Sequence, residues 1–397
     1  MKQLLQVDAA WWRFYERYGY SLRPVVVDTM IKIMACGLFI MGFATFRCTT
    51  PGCNHKKKIC FGCKCRFCNT CGKKRTDQWL EYMKATLPDT TWQHITFTMP
   101  DTLWIFFEYN RQLQGKLSAL AAGIMLKTSK KKGALPGIFT AIHTFGRDLK
   151  WNVHIHLAIT LGGLTNDHTG WKTLYFVREQ VMKQWRYEVI KLLRKEAKKG
   201  RLVIPPELTA QWQQQDQTLN DVLDNEYLKP YWHVWFADPT DNPAKTIEYL
   251  GRYISRPPIA MSRIKHYDGN DVVFEYLDHR DQKHKTLRCT IEDFIRRFIR
   301  HIPDKGFRMI RYYGFLAHRV RGKLLPTVYD LLDQPKKKAL KIRYPELLKA
   351  TYGIDPIKCI LCGSQMVFCG ITRGLSRAKL GQYHRELALR KKIEWQP

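Results

Sequence analysis

The chain has 397 residues, of which 66 are Lys or Arg and 35 are Asp or Glu, so its formal net charge is +31. With 45% hydrophobic residues it can bury an ample core, which excludes a disordered chain. So large an excess of positive charge argues against an enzyme of small molecules and predicts a polyanionic partner, namely nucleic acid.

Cysteine usage indicates bound metal rather than disulfides. Most of the 12 cysteines lie between Cys36 and Cys71, and the N-terminus lacks the apolar core of a signal peptide. The uncharged stretch 33–46 is too short to cross a bilayer and is predicted to be the end of a buried helix followed by a strand. We therefore expect a cytoplasmic protein with reduced thiols and no membrane partner.

In chain order, the hydrophobic pattern predicts a helical start before the cysteines, a strand at 92–99 and a helix at 101–128. Two apolar runs at 137–145 and 153–161 predict a β-hairpin. An amphipathic helix at 171–199 and a polar stretch at 205–229 indicate an insertion. Further strands at 272–277 and 284–290 precede a basic helix. The predicted fold class is therefore α+β.

The cysteine spacing predicts structural zinc. Cys48-x4-Cys53 and Cys68-x2-Cys71 place two thiol pairs on tight turns, which can present four ligands tetrahedrally. Which thiols bind stays open at this point. The candidates for a second zinc site are Cys60, Cys63, Cys65 and His55. A weaker site is predicted at Cys359, Cys362 and Cys369, with ordinary packing of these thiols as the alternative.

A His-x-His pair on the second strand of the hairpin predicts a second kind of metal site. His154 and His156 share one face of the strand, and His143 comes opposite them on the preceding strand. Three imidazoles in this arrangement suit a divalent cation with open positions for a phosphate. Asp148 and Glu248 are alternative third ligands, and a structural pair of histidines is the alternative interpretation.

Two tyrosines are candidates for nucleophilic chemistry. Tyr249 and Tyr253 are spaced i, i+4 on a predicted helix that begins near residue 242, so both phenols lie on one face. Such a pair is ordinarily core packing. A phosphate-directed role is favoured by Lys245, Arg252 and Arg256 on the same helix, because cations stabilise a phenolate nucleophile.

Four motifs, CKCRFCNTCGKKRTDQW, HTFGRDLKWNVHIHL, IEYLGRYISRPPIAMSRI and RRFIRHIPDKGFRMIRYYGFLA, occur in this order. Together they resemble the two-tyrosine rolling-circle transposases of bacterial insertion sequences, in the HUH endonuclease superfamily. By this resemblance His154 and His156 are metal ligands, and Tyr249 and Tyr253 are the nucleophiles. The zinc-binding segment maps onto Cys48, Cys53, Cys63, Cys68 and Cys71.

The resemblance implies three regions. Residues 1–77 would form an N-terminal helical and zinc-binding domain. Residues 78–290 would form an HUH nuclease core, an antiparallel sheet flanked by helices, with a helical insertion near 165–229. Residues 291–397 would form a basic C-terminal region. In this last region Arg297, Arg300, Lys305 and Arg308 are predicted to contact DNA phosphates or to form a solvated basic face.

The activity implied is metal-dependent transposition. Such an enzyme cleaves and rejoins single-stranded DNA at element ends through 5′-phosphotyrosine, with catalytic Mg²⁺ or Mn²⁺ and structural Zn²⁺. Because the chain has no Walker-type phosphate loop, a host helicase is an expected partner, and a nucleoid-associated location in a bacterium follows. The alternatives are a replication initiator or relaxase of the HUH class, and a non-catalytic zinc-dependent DNA-binding regulator.

Overall fold

The structure, a computed structural model, describes residues 1–229, 232–242, 244, 246–248, 251, 257–278, 281–337 and 344–394. At its centre lies a six-stranded antiparallel sheet. The strands follow the order β11 (Ile310–Gly314), β4 (Ala134–Phe145), β5 (Trp151–Thr165), β3 (Trp92–Phe97) and β7 (Val234–Phe236), and β6 (Trp171–Thr173) pairs with the far end of β5. The predicted strand and hairpin are confirmed.

Helices cover both faces of this sheet, because its central strands are apolar on both sides. One face packs Ile95, Ile138 and Ile155 against α5 (Trp104–Tyr109), α6 (Arg111–Lys131) and α7 (Arg178–Lys198). The other face packs Trp92 and Phe139 against α4 (Asn69–Lys84) and α11 (His318–Leu331). This arrangement confirms the α+β class.

The polar stretch predicted as an insertion forms two short helices, α8 (Pro206–Gln214) and α9 (Leu219–Leu228). The Thr218 side chain caps α9 by accepting a hydrogen bond from the backbone N–H of Asp221 at 3.3 Å. Trp212 and Leu223 join the core on the α6 face, so the insertion is packed against the sheet. Among the described residues, no helix has both the length and the apolar character needed to cross a membrane.

The N-terminal module combines helices α1 (Lys2–Gln6), α2 (Ala10–Tyr18) and α3 (Pro24–Ala35) with strands β1 (Gly42–Cys48) and β2 (Lys56–Cys60). Its core extends to a second sheet, β8 (Ile264–Tyr267), β9 (Asp271–Asp278) and β10 (Lys283–Thr290), and to α10 (Ile291–Ile299). Trp11 and Phe14 of α2 lie in one cluster with Phe274 and Phe294. The N-terminal helices therefore depend on partners distant in sequence.

Elements of the predicted C-terminal region, 291–397, pair with strands and helices from earlier in the chain. Strand β11 is the edge of the central sheet, with Ile310 opposite Ala141. Strand β12 (Met366–Arg373) pairs with β1, placing Met366 opposite Cys48. The last helices, α12 (Tyr344–Tyr352) and α13 (Arg377–Glu394), pack on α4 and α3. These contacts cross the predicted boundary at residue 290, which stays a prediction. Strand pairing over long sequence separations leaves no local mark in the sequence.

His301 fastens the segment after α10 to the turn between β4 and β5. Its Nε2–H donates to the Leu149 carbonyl at 3.1 Å, its Nδ1 lies 3.2 Å from Thr144 Oγ1, and its ring stacks on Trp151. Burial lowers the pKa of His301 to about 3, because the charged imidazolium would lose its hydration.

We expect His301 to make the chain acid-sensitive. Its pKa is about 3 when folded and ~6.5 when unfolded, so the unfolded chain binds the additional proton and stability falls as pH drops below 6.5. At pH 5 this lowers the free energy of unfolding by about 2 kcal/mol relative to neutral pH. Urea unfolding of the wild type and His301→Gln at pH 7 and pH 5 measures the difference. Equal losses of unfolding free energy in both proteins would contradict the role assigned to His301.

Candidate metal centres

Three histidines meet on the central sheet. In the hairpin register His143 is directly opposite His154, and Ala141 is opposite His156. One ring nitrogen from each of these histidines lies within 4.8 Å of the others. The hairpin placement predicted for His143 is therefore observed, and the three imidazoles form a ligand set of the size that one cation requires.

The imidazoles of His154 and His156 are held neutral. Burial lowers the pKa of His154 to about 4 and lowers that of His156 well below its usual range. Nδ1–H of His154 donates to the Asn152 carbonyl at 2.9 Å, which leaves Nε2 as its ligand atom. Metal-binding histidines commonly donate their other ring N–H to a backbone carbonyl in this way.

A fourth histidine, His94 on β3, was missed by the sequence analysis. Its Nε2 lies 3.0 Å from Nδ1 of His156, and Thr96 Oγ1 lies 3.4 Å from the same atom. Burial lowers the pKa of His94 to about 4. The signal was available, since 92–99 was predicted as a strand, but only the order of strands in the sheet brings His94 beside His156.

We expect His94 to orient His156 for metal. His94→Phe removes the contact to Nδ1 of His156 and should weaken Mn²⁺ affinity by about 10- to 100-fold, as is typical when a metal-binding histidine loses the partner of its other ring nitrogen. His94→Gln retains a hydrogen-bonding side chain and should recover most of that affinity. Isothermal titration with Mn²⁺ measures both. Equal affinities for wild type and His94→Phe would leave His94 as a packing residue only.

The predicted nucleophile helix lies mostly outside the described residues. Tyr249, Tyr253, Lys245, Arg252 and Arg256 are among the residues left out. Of its described residues, Thr246, Ile247 and Glu248 are helical, and Ile247 is buried.

The described part of this helix packs against α4. A Cβ on Gly251 would lie 2.3 Å from Leu80 Cδ2, so a larger residue here would displace the Leu80 side chain. Glu248, considered above as a metal ligand, pairs instead with Lys84 at 2.9 Å. Ile247 shares a cluster with Ala141 and Ala158, which alternate onto the same sheet face as the histidines.

The five predicted zinc ligands fall into two separate groups. Cys63, Cys68 and Cys71 join Cys36 in a first tetrad, in which Sγ of Cys36 lies 3.5 Å from Cys68 and 3.6 Å from Cys71. Cys48 and Cys53 instead join Cys359 and Cys362. The structure therefore separates the Cys48 turn from the Cys68 turn, which the spacing places in one site.

The first tetrad fits a structural zinc ion. Its four thiols converge within 4.8 Å of one another, the ligand set of a closed tetrahedral zinc site. Cys68 precedes α4 and Cys71 lies in its first turn, so this cluster fixes the start of the helix on which Gly251 packs. Among the described residues, Cys60 and Cys65 join neither tetrad.

Two family models match separate parts of the chain. Residues 7–99 match a family model described as "Transposase zinc-binding domain", and residues 137–323 match one described as "Putative transposase". A "Transposase for insertion sequence element IS801" of Pseudomonas savastanoi pv. phaseolicola is 39% identical over 386 residues, covering 95% of this chain and 90% of that protein. The chain belongs to the rolling-circle transposases of insertion sequences.

A second relative of this transposase supports the same family. A "Putative transposase y4qJ" of Sinorhizobium fredii is 29% identical over 388 residues, covering 91% of this chain and 95% of that protein. No solved structure gives a significant match. The zinc-binding match includes the whole first tetrad, whereas Cys359 and Cys362 lie beyond both family matches.

The basic residues predicted to contact DNA differ in what they do in this transposase. Arg300 pairs with both carboxylate oxygens of Glu108, at 3.0 and 2.5 Å, so a phosphate would have to displace that carboxylate. Arg297 lies 3.4 Å from the Asp148 carbonyl, near the turn that joins β4 to β5. Lys305 and Arg308 are exposed. These last two remain the better positioned for DNA.

Proposed function

We propose that this transposase cleaves and rejoins single-stranded DNA at the ends of its insertion sequence through 5′-phosphotyrosine intermediates. Tyr249 and Tyr253 are the nucleophiles, and His143, His154 and His156 hold the divalent cation. The observation that carries the proposal is the convergence of three histidines, two of them with strongly lowered pKa values, on the sheet face against which Ile247 packs. Tyr249 follows Ile247 by two positions.

The donor set supports a divalent cation at this centre. Neutral imidazole nitrogens bind first-row transition ions well, so of the two ions expected, Mn²⁺ suits the site better than Mg²⁺, which prefers oxygen ligands. When bound, such an ion supplies positive charge that polarises a phosphate and stabilises the charge that develops during its displacement. The protein supplies the dry, shaped surroundings, since His156 is buried and His94 orients it.

The chain's own residues account for the rest of the reaction. The oxygen of one tyrosine attacks the scissile phosphorus, the bond to the 3′ oxygen breaks, and the phenolic proton leaves as the 3′ oxygen takes one up. The bond energy is retained in the phosphotyrosine ester. The second tyrosine cleaves a second strand, and the free 3′-OH groups then displace the tyrosines, so two ends are held while they are exchanged.

Family membership favours this function over the alternatives. A replication initiator or relaxase would share the tyrosine chemistry, but the matched families are transposases. A regulator without catalysis would not require buried neutral histidines to converge. A host helicase remains the expected source of unwinding.

Denaturing gels with labelled single-stranded element ends test the proposal. With Mn²⁺ the wild type should shift the label to the size of a protein–DNA adduct. Tyr249→Phe and Tyr253→Phe should each reduce the adduct, and the double variant should abolish it. Tyr187→Phe is the matched control, because Tyr187 is an exposed tyrosine on α7. An adduct that survives in the double variant would place the nucleophile elsewhere, and intact DNA binding without any adduct would favour the regulator.

A further inference from the structure

The second cysteine tetrad joins two segments that are far apart in the sequence. Cys48 ends β1 and Cys53 lies in the turn that leads to β2, whereas Cys359 and Cys362 lie in a turn just before β12. Sγ of Cys48 is 3.3 Å from Sγ of Cys362, and Sγ of Cys53 is 3.9 Å from Sγ of Cys359. All four sulfurs lie within 4.8 Å of one another.

These spacings match tetrahedral thiolate coordination. With a Zn–S bond of ~2.3 Å, the sulfurs of a tetrahedral site are about 3.8 Å apart. The observed separations of 3.3 and 3.9 Å lie near this value, and far from the ~2.05 Å of a disulfide. Cys48 and Cys359 are buried, Cys53 is partly buried and Cys362 is exposed, which leaves one side of the cluster open to solvent.

The two turns have the local features of metal-binding turns. Backbone N–H of Thr50 points to Sγ of Cys48 at 3.5 Å, and Nδ1 of His55 lies 3.1 Å from Sγ of Cys359. Such donors stabilise thiolates and orient them around a metal. Gly363, at φ +74°, follows Cys362 in the left-handed region that other residues rarely adopt. Its N–H bonds the Cys359 carbonyl at 3.0 Å and closes the turn.

Strand pairing brings the turns together independently of any metal. β1 and β12 are antiparallel, with Cys48 opposite Met366, so both turns lie at the same end of the sheet. Two further contacts connect the turns directly, from Thr50 Oγ1 to Ser364 Oγ at 2.7 Å and from Thr49 Oγ1 to the Gln365 carbonyl at 3.0 Å.

We propose that Cys48, Cys53, Cys359 and Cys362 bind a second structural Zn²⁺, which clamps the C-terminal segment onto the N-terminal sheet. An all-thiolate tetrahedral set selects Zn²⁺ over Mg²⁺ or Mn²⁺. The zinc-binding module is then not contained in residues 7–99. It is completed by residues more than 250 positions away, and each chain carries two zinc ions. This proposal does not depend on the tyrosine chemistry.

Zinc content of the purified full-length chain gives the first test. Elemental analysis should find two zinc ions per wild-type chain and one in the Cys359→Ser/Cys362→Ser double variant. Cys369→Ser is the matched control, because Cys369 is an exposed thiol on β12 outside the tetrad. It should retain two. One zinc ion in the wild type, or two in the double variant, would overturn the proposal.

Thiol labelling tests the same site without any variant. Cys362 and Cys369 are both exposed, so an alkylating reagent should modify both at similar rates unless a metal protects one. We expect Cys369 to react and Cys362 to be protected at least about 10-fold, with protection lost when a strong chelator is added. Similar rates in the untreated protein would overturn the proposal, as would an intramolecular disulfide found at Cys362 by peptide mass spectrometry.

Discussion

His156→Ala is expected to lower the rate of metal-dependent DNA cleavage by at least about 10³-fold. His156 is the buried centre of the histidine cluster, with His143, His154 and His94 around it. Its loss removes one of three expected ligands, and the charge stabilisation that a bound cation supplies to phosphoryl displacement is worth several kcal/mol. Single-turnover cleavage of labelled single-stranded element ends in Mn²⁺ measures the rate.

His284→Ala provides the matched control, because His284 is an exposed histidine on β10, in a different sheet. It should cleave at the wild-type rate. Circular dichroism should show that His156→Ala remains folded, and titration with Mn²⁺ should show weaker binding than in the wild type. A folded His156→Ala variant that cleaves as fast as the wild type would remove the histidine cluster from the mechanism.

Cys68→Ser is expected to unfold the N-terminal module. Cys68 is buried in the first tetrad, and structural zinc contributes on the order of 10 kcal/mol to the folding of small zinc modules. A serine hydroxyl is a poor zinc ligand, so we expect loss of one zinc ion and a fall of at least about 5 kcal/mol in the module's free energy of unfolding. Elemental analysis and urea unfolding followed by tryptophan fluorescence measure these changes.

This substitution should also slow cleavage, because Cys68 and Cys71 lie at the start of α4, the helix against which Gly251 packs. Cys60→Ser is the control, since Cys60 is a partly buried cysteine of the same segment outside both tetrads. We expect it to retain the zinc content and stability of the wild type. If Cys68→Ser unfolds as the wild type does and keeps its zinc, the first tetrad is not a structural metal site.

The sequence predicted best the features that depend on local pattern. Two apolar runs joined by a short polar segment indicate a hairpin, and its register follows from alternation, which is why His143 was correctly expected opposite the His-x-His pair. His94 was not identified, because β3 is distant in sequence from β5 and only the sheet order shows that they are neighbours.

The cysteines show the limit of spacing as a guide. Cys48 and Cys68 each begin a thiol pair, and with only sequence distance to consider, these two pairs were grouped into one site. In the structure each pair completes its tetrad elsewhere: the Cys68 pair takes Cys36 and Cys63, and the Cys48 pair meets thiols near residue 360. Similarly, the basic pattern identified Arg300 as a DNA contact, but not the Glu108 carboxylate that already neutralises it.

The pairing of β1 with β12 imposes an order on events during synthesis. Cys362 follows Cys48 by 314 positions, so at ~5–20 residues per second a ribosome delivers the second strand about 15 to 60 s after the first. Throughout that interval the edge of β1 that pairs with β12 lacks its partner strand. A transposase with a complete N-terminal module has therefore been translated past Arg373, and we expect chains terminated before that residue to be excluded from acting on the element.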